Sequence, residues 1–295
     1  MAVAGLVLSV SSFANATIIN PPGYSDTLYL SGAGGWGSMA HASNGDVYYS
    51  KSGGVFKYDG VTTTSLGAGL GLEIIGNNLF IGGYNNNTIK TYNLSTEAIS
   101  TIGTISSNYI NGFALASNDF VGHEGELLIA TLNGVFAYNL LTAASSNIWG
   151  GAIYSDIIVD NDGRVLATDY SAGVSELMSN GTKVSLGTVG QYDALALYAP
   201  SGESYMANSN TDTIDVLKSD NTVTQFAIAA NFNGGWFPSP LSFNTDFTKL
   251  YYADGNDIRV ISGFDGIAEV PEPSTIAFLS LGLMGLAARR FKKQA

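Results

Sequence analysis

The stretch that decides the fold is residues 79–92, which read LFIGGYNNNTIKTY. A short apolar run, Leu79 to Ile81, comes first, and a second run with apolar ends, Ile89 to Tyr92, closes the stretch. Three asparagines lie between the two runs, and asparagine favours turns because its side chain bonds nearby backbone and tolerates left-handed conformations. The stretch therefore predicts two short β-strands joined by a tight turn.

The same pattern recurs along the chain. The second, four-residue run appears six times, at intervals of 34, 46, 39, 40 and 44 residues, beginning at Val55, Ile89, Val135, Val174, Ile214 and Ile258. A turn and a strand rich in Thr, Ser and Val follow most copies, as in residues 63–67 (TTSLG). Four short strands in a period of about forty residues are typical of a β-propeller blade.

The chain ends suggest how the ring closes. The last repeat stops at Ile261-Ser262-Gly263 without a fourth strand, and an unmatched strand, residues 27–32, lies near the N-terminus. Pairing the two would remove the free edges of an open meander. We therefore predict an all-β, six-bladed propeller over residues 17–266, closed by an N-terminal strand. A β-sandwich would not repeat this regularly, and a β-solenoid would use a shorter period.

Part of this body resembles a known repeat. Residues 72–108, with the segment NNNTIKTYNL at 85–94, are similar to the YVTN/NHL-like propeller repeats of surface proteins. The resemblance implies the same propeller fold and does not specify a ligand.

Composition excludes one class of partner. The chain has no cysteine and a net charge of −12, and residues 17–268 hold 22 acidic against 8 basic side chains. Such a body is repelled by nucleic acid and by anionic lipid. Without disulfides, it must be held together by core burial alone.

The N-terminus has the character of an export signal. Residues 2–16 are uncharged, mostly apolar and end in Ala14-Asn15-Ala16, a typical signal-peptidase site. We therefore predict a signal peptide over residues 1–16. Because the basic segment that normally opens such a signal is missing, we expect the translation start to lie upstream.

The C-terminus has three parts. Val270-Pro271-Glu272-Pro273 is followed by the apolar residues 274–288 and then by Arg289 and Arg290 with further basic side chains. The apolar part predicts a single hydrophobic helix of roughly 22 Å, which is shorter than the hydrocarbon core of a bilayer but can anchor there when flanking residues are drawn in. The basic end should remain cytoplasmic, which places the body outside the inner membrane.

This order of parts resembles the PEP-CTERM sorting signal of Gram-negative bacteria. A plain tail anchor would explain the helix and the charges, but not the rigid Pro-Glu-Pro before them. The resemblance implies that residues 267–295 are recognised by an exosortase, a membrane protease. It further implies transient anchoring in the inner membrane, cleavage near the motif, and release to the cell surface or the extracellular polysaccharide matrix.

Acidic residues near the predicted starts of the innermost strands are candidate metal ligands. Glu73, Asp156 and Asp193, with Asn111 beside them, could meet at one mouth of the central channel. Three carboxylates and an amide oxygen would suit Ca²⁺, which takes six to eight oxygen ligands. The alternative is that they are ordinary solvated residues of an acidic protein.

The three tryptophans are candidate ligand-binding residues. Trp36, Trp149 and Trp236 each lie beside glycines, and each is predicted between an outer strand and the next inner strand. On one face, they could stack against sugar rings. The alternative is that they wedge between blades, since large aromatic side chains are usually buried.

No catalytic residue is predicted. The chain has no cysteine nucleophile, no Gly-x-Ser-x-Gly motif and only two histidines, His41 and His123. Two functions remain open: a surface or matrix module that binds glycans or proteins, and a Ca²⁺-dependent hydrolase or lyase acting in the channel. A six-bladed propeller supports both.

Overall fold

The computed structural model describes residues 18–19, 21–170, 172–186, 190–229, 231–232 and 237–264. This part of the chain forms 25 strands in six antiparallel sheets. No helix in these ranges is long and apolar enough to cross a bilayer. The predicted signal peptide and the C-terminal sorting segment lie outside the described residues.

Each sheet is one blade of a six-bladed propeller. Blade 1 contains β3 (Met39–His41), β4 (Val47–Lys51), β5 (Gly54–Tyr58) and β6 (Thr63–Ala68). Blade 2 contains β7 (Leu72–Ile75), β8 (Asn78–Gly82), β9 (Thr88–Asn93) and β10 (Ile99–Thr104). Blade 3 contains β11 (Ile110–Leu115), β12 (Leu127–Thr131), β13 (Gly134–Tyr138) and β14 (Ser145–Gly150).

Blade 4 contains β15 (Tyr154–Val159), β16 (Val165–Asp169), β17 (Gly173–Leu177) and β18 (Lys183–Ser185). Blade 5 contains β19 (Tyr192–Tyr198), β20 (Glu203–Asn208), β21 (Thr213–Leu217) and β22 (Val223–Ile228), with β1 (Ile18–Ile19) as a fifth strand on β22. Blade 6 contains β23 (Leu241–Phe243), β24 (Lys249–Asp254) and β25 (Asp257–Ser262), and β2 (Ser25–Leu30) completes it.

The predicted ring closure is confirmed. β2 pairs antiparallel with β25, so the outer strand of blade 6 comes from the N-terminal end of the described chain. The carboxylate of Asp26 on β2 accepts hydrogen bonds from the Tyr252 hydroxyl (2.9 Å) and from Nε of Arg259 (2.9 Å). Because the Asp26 side chain is only 5% exposed, this ion pair joins the two ends of the ring in a largely desolvated position.

The innermost strands β3, β7, β11, β15, β19 and β23 surround the central channel. Each contacts the next, and β23 contacts β3. Because every blade is an up-and-down meander, all six inner strands begin on the same side of the molecule. We call this side the start face and the opposite side, where the inner strands finish, the end face.

The core lies between the blades, and a repeated bulge helps to fill it. Five outer strands, β2, β6, β10, β14 and β22, each contain one extra residue relative to the strand they pair with. In each strand that residue is large and apolar: Tyr29, Leu66, Ile102, Ile148 and Phe226. All five pack in or against an inter-blade cluster, because a bulge re-aims a side chain that would otherwise follow the alternation of the strand.

Candidate functional site

Four aromatic rings form a cluster on the start face. Trp36, Tyr84, Tyr109 and Phe237, which we call the aromatic cap, are all partly exposed. The Trp36 ring stacks on Phe237 with centroids 4.7 Å apart and lies 5.1 Å from Tyr84. Tyr109 lies 5.6 Å from Tyr84 and 5.5 Å from Phe237, so the four rings form one continuous patch.

The cap crosses the mouth of the channel. Phe237 precedes the inner strand of blade 6 and Tyr109 precedes that of blade 3. These blades are opposite each other in a ring of six, so their rings can meet at 5.5 Å only over the channel axis. The aromatic cap therefore covers the channel on the start face.

Local sequence explains how Tyr84 reaches this position. Tyr84 begins the asparagine-rich turn, in which Asn85 adopts a left-handed conformation (φ 54°) and Asn86 Oδ1 accepts the Thr88 N–H (3.1 Å). The ring passes over Gly53, where a Cβ atom would come within 2.3 Å of it. Asn85 Oδ1 in turn accepts the Tyr109 hydroxyl (3.2 Å), which places a side-chain amide beside the rings.

The predicted tryptophan set is only partly brought together. Trp36 belongs to the aromatic cap, whereas Trp149 lies inside β14, is 5% exposed and packs against Phe120 at 5.6 Å. The bulge at Ile148 directs Trp149 inward, so this ring cannot stack on a ligand in this structure. Trp236 lies outside the described residues.

A cavity of about 500 Å³ occupies the channel. Its lining runs from Ser38 and Glu73, near the beginnings of inner strands, to Gly76 and Phe247 on the end face, and includes none of the cap residues. Most lining residues are apolar, and the polar or charged ones among those described are Ser38, Glu73, Asp156 and Ser242. The cavity therefore holds two carboxyl groups and extends towards the end face.

Asp156 is held firmly in the part of the cavity nearest the start face. Its Oδ1 accepts the N–H of Ile157 and its Oδ2 accepts the N–H of Leu195 on the neighbouring blade, both at 2.9 Å. Gly112 on the other neighbouring blade makes room, since a Cβ atom there would lie 2.5 Å from Oδ1 of Asp156. The carboxylate is thus hydrogen-bonded to two blades, and a glycine is required beside it on a third.

Both carboxyl groups titrate far from their ordinary range. Burial and the nearby Asp156 carboxylate together raise the pKa of Glu73 to about 8. Burial raises the pKa of Asp156 to about 7, although the N–H groups of Leu195 and Ile157 stabilise its charged form. Near neutral pH, Glu73 is therefore mostly protonated, while Asp156 is present in both its protonated and its ionised form.

The other predicted ligands lie beside the cavity, not in its lining. Asp193 is fully buried at a bulge of β19, and Asn111 is fully buried and donates to the Tyr154 carbonyl (2.8 Å). Within the described ranges, no three His, Cys, Asp or Glu side chains form a group that could hold a metal ion. Glu73 and Asp156 alone supply fewer oxygens than Ca²⁺ takes. Calcium binding stays a prediction, and this geometry does not by itself support it.

Neither histidine contributes to the cavity. The His41 ring lies tilted against Tyr251 with centroids 4.4 Å apart, and burial lowers the pKa of its imidazole to about 3, so it is neutral. His123 lies in a loop on the end face, with Nδ1 2.8 Å from Oε2 of Glu126. The chemistry available in the cavity is therefore that of carboxyl groups.

Comparison with known families identifies the C-terminal segment. Residues 269–293 match the PEP-CTERM protein-sorting motif. The predicted motif residues Val270, Pro271, Glu272, Pro273, Arg289 and Arg290 all lie within the match. The chain is thus an exported protein and a substrate for exosortase processing. A search of curated protein sequences gives no match.

Solved structures confirm the propeller. A gluconolactonase from Xanthomonas campestris superposes with a TM-score of 0.67 and 10% identity over 84% of this chain and 94% of that one. An auxiliary nutrient binding protein from Bacteroides ovatus superposes with a TM-score of 0.62 and 11% identity, over 81% of this chain and 76% of that one. Virginiamycin B lyase from Staphylococcus aureus superposes with a TM-score of 0.57 and 13% identity, over 77% of this chain and 80% of that one. At these identities the likeness shows the fold alone.

Proposed function

We propose that this protein is a cell-surface or extracellular-matrix propeller that binds polysaccharide at the aromatic cap. The observation that carries the proposal is the continuous patch of four partly exposed rings across the channel mouth. Aromatic faces with amide groups beside them suit sugar rings, which present apolar faces and hydroxyl edges. The sorting motif supports the same function, because it directs the chain to the surface, where polysaccharide is found.

The cap can be tested with single substitutions. Trp36→Ala should weaken binding to an extracellular polysaccharide by about fivefold to tenfold, the effect of losing one stacking contact of ~1 kcal/mol. Trp36→Phe keeps an aromatic face and should retain most of the affinity. Tyr58→Ala, at the end of β5 on the opposite face from the cap, is the matched control. Affinity electrophoresis in gels containing polysaccharide measures all three.

The proposal fails if Trp36→Ala binds polysaccharide as tightly as the parent, or if Tyr58→Ala weakens binding equally. Retention of a surface protein without retention of polysaccharide would indicate a protein-binding module instead.

A second candidate function, a hydrolase or lyase acting in the channel, is favoured by the Glu73–Asp156 pair. A carboxyl group with a pKa of about 8 beside one with a pKa of about 7 can donate and accept protons near neutral pH. Two of the structurally similar proteins are described as a gluconolactonase and a lyase. Hydrolysis of gluconolactone that is abolished by Glu73→Gln would support this candidate, and turnover that Glu73→Gln leaves unchanged would refute it.

The sorting tail completes the proposal. Before processing, the apolar residues 274–288 hold the protein in the inner membrane, and cleavage near Pro271-Glu272-Pro273 releases the propeller towards the cell surface.

A further inference from the structure

The channel cavity has an unbalanced charge. Among the described residues that line it, two carry carboxyl groups and none is basic. Burying a carboxylate without a cation nearby is costly, and proteins usually avoid it by pairing or by protonation. The cavity therefore favours a ligand that brings a positive charge.

Both carboxyl groups can still accept hydrogen bonds. Each oxygen of Asp156 accepts one backbone N–H, and a carboxylate oxygen can accept more than one hydrogen bond. Glu73 lies between Leu72 and Ile74 on β7, and all three line the cavity. The part of the cavity nearest the start face therefore offers hydrogen-bond acceptors, while the walls towards the end face are mostly apolar.

We propose that this cavity binds an organic ammonium ion, whose charged group sits between Glu73 and Asp156 and whose apolar body lies against the aliphatic walls.

Three features favour an organic cation over a metal ion. An ammonium group has three N–H donors, which two carboxyl groups can satisfy, whereas Ca²⁺ takes six to eight oxygens. The aliphatic lining suits a hydrocarbon body and not a hydrated ion. The volume, about 500 Å³, is that of a small-molecule site.

This inference is independent of polysaccharide binding. The aromatic cap lies on the start face and contributes no residue to the cavity lining. Substitutions in the cap and in the cavity can therefore fail or succeed separately. The inference is also independent of the hydrolase or lyase candidate, because binding an ammonium ion requires no catalysis in the channel.

Calorimetric titration of the full-length chain in a non-ionic detergent tests it, with hexylammonium chloride as the probe. We expect saturable binding accompanied by proton release, because Glu73 must ionise to pair with the cation. Proton release is measured as a difference in heat between two buffers of unequal ionisation enthalpy. Glu73→Gln should weaken binding by about tenfold or more, the effect of losing a charge-assisted hydrogen bond.

Two controls and a second cavity variant make the result specific. Glu176→Gln, on the third strand of blade 4 and outside the cavity lining, should bind hexylammonium like the parent. Hexan-1-ol should give the same heat with the parent and with Glu73→Gln, since it lacks the charge. Asp156→Asn provides a second cavity variant, and thermal unfolding verifies that each variant folds.

The proposal is overturned if the parent shows no saturable binding, or if both Glu73→Gln and Asp156→Asn bind as tightly as the parent. Calcium chloride that binds with defined stoichiometry and excludes hexylammonium would also overturn it, because the cavity would then be a metal site.

Discussion

Replacing Glu73 with glutamine should change how the stability of the protein depends on pH. The pKa of this carboxyl group is about 8 in the folded protein, against an ordinary value of 4.5. Because the folded value lies above the unfolded one, the folded protein binds more protons between them. The resulting stabilisation is complete below the unfolded pKa and is lost as the pH rises through 8. Asp156 acts in the same direction, and its contribution is lost as the pH rises through 7.

The size of the effect follows from these values. Between about pH 6.5 and about pH 9, the unfolded carboxyl groups stay ionised while the folded ones lose their protons. Proton loss from Glu73 then lowers the free energy of unfolding by ~2 kcal/mol and that from Asp156 by ~1 kcal/mol, both upper limits because the two side chains are partly solvated. In Glu73→Gln, the free energy of unfolding should fall by only ~1 kcal/mol or less over the same pH range, because Asp156 alone still loses a proton.

Urea unfolding followed by tryptophan fluorescence at the two pH values measures this difference. The window starts at about pH 6.5 because, below that value, the His41 imidazole binds a proton in the unfolded chain but stays neutral in the fold, and this difference lowers the free energy of unfolding. Glu176→Gln is the matched control and should keep the pH dependence of the parent. Equal losses of stability in the parent and in Glu73→Gln would refute the burial of a protonated Glu73 in the channel.

Two further predictions concern the ends of the chain. Asp26→Ala removes the hydrogen bonds of Arg259 at the ring closure and leaves it only the longer contact with Asp254 (3.8 Å), so it should lower the free energy of unfolding by ~2–3 kcal/mol, measured by urea unfolding. Asp162→Ala, in an exposed turn, is the control, and an equal effect of the two substitutions would argue against a closing role for β2. Glu272→Ala alters the sorting motif and should leave a membrane-retained precursor in a host with an exosortase, detected by fractionation and immunoblotting. Processing and release like the parent would show that the tail is a plain anchor.

The blade architecture could be predicted from sequence because its signals are local. Each hairpin is encoded within about fifteen residues by β-branched and aromatic runs flanked by Asn and Gly, and the period repeats these signals six times. The missing strand of the last blade and the unmatched residues 27–32 then indicated the closure that β2 and β25 make. The sorting motif was equally readable, because its parts are contiguous in sequence.

The site was only partly predictable. Glu73 and Asp156, both predicted near the beginnings of inner strands, lie in the lining of the channel cavity, since the position of a residue in its blade determines its distance from the axis. Their role as metal ligands stays a prediction. The aromatic cap was missed, apart from Trp36. Tyr84 lies just after β8, and Tyr109 and Phe237 lie just before the inner strands of blades 3 and 6. Aromatic residues in the connections on the start face are therefore the sequence signal that could have predicted the cap.

The remaining differences depend on tertiary structure. A one-residue bulge in β14 turns Trp149 into the core, and a bulge is not encoded by the alternation of apolar and polar residues. Tyr109 and Phe237 are 128 positions apart in sequence but meet over the axis because closure places blades 3 and 6 opposite each other. Sequence alone therefore determined the strands, their repeat and the sorting tail, which depend on neighbouring residues. Only the closed ring decided which side chains meet across the channel, because those contacts depend on distances set by all six blades together.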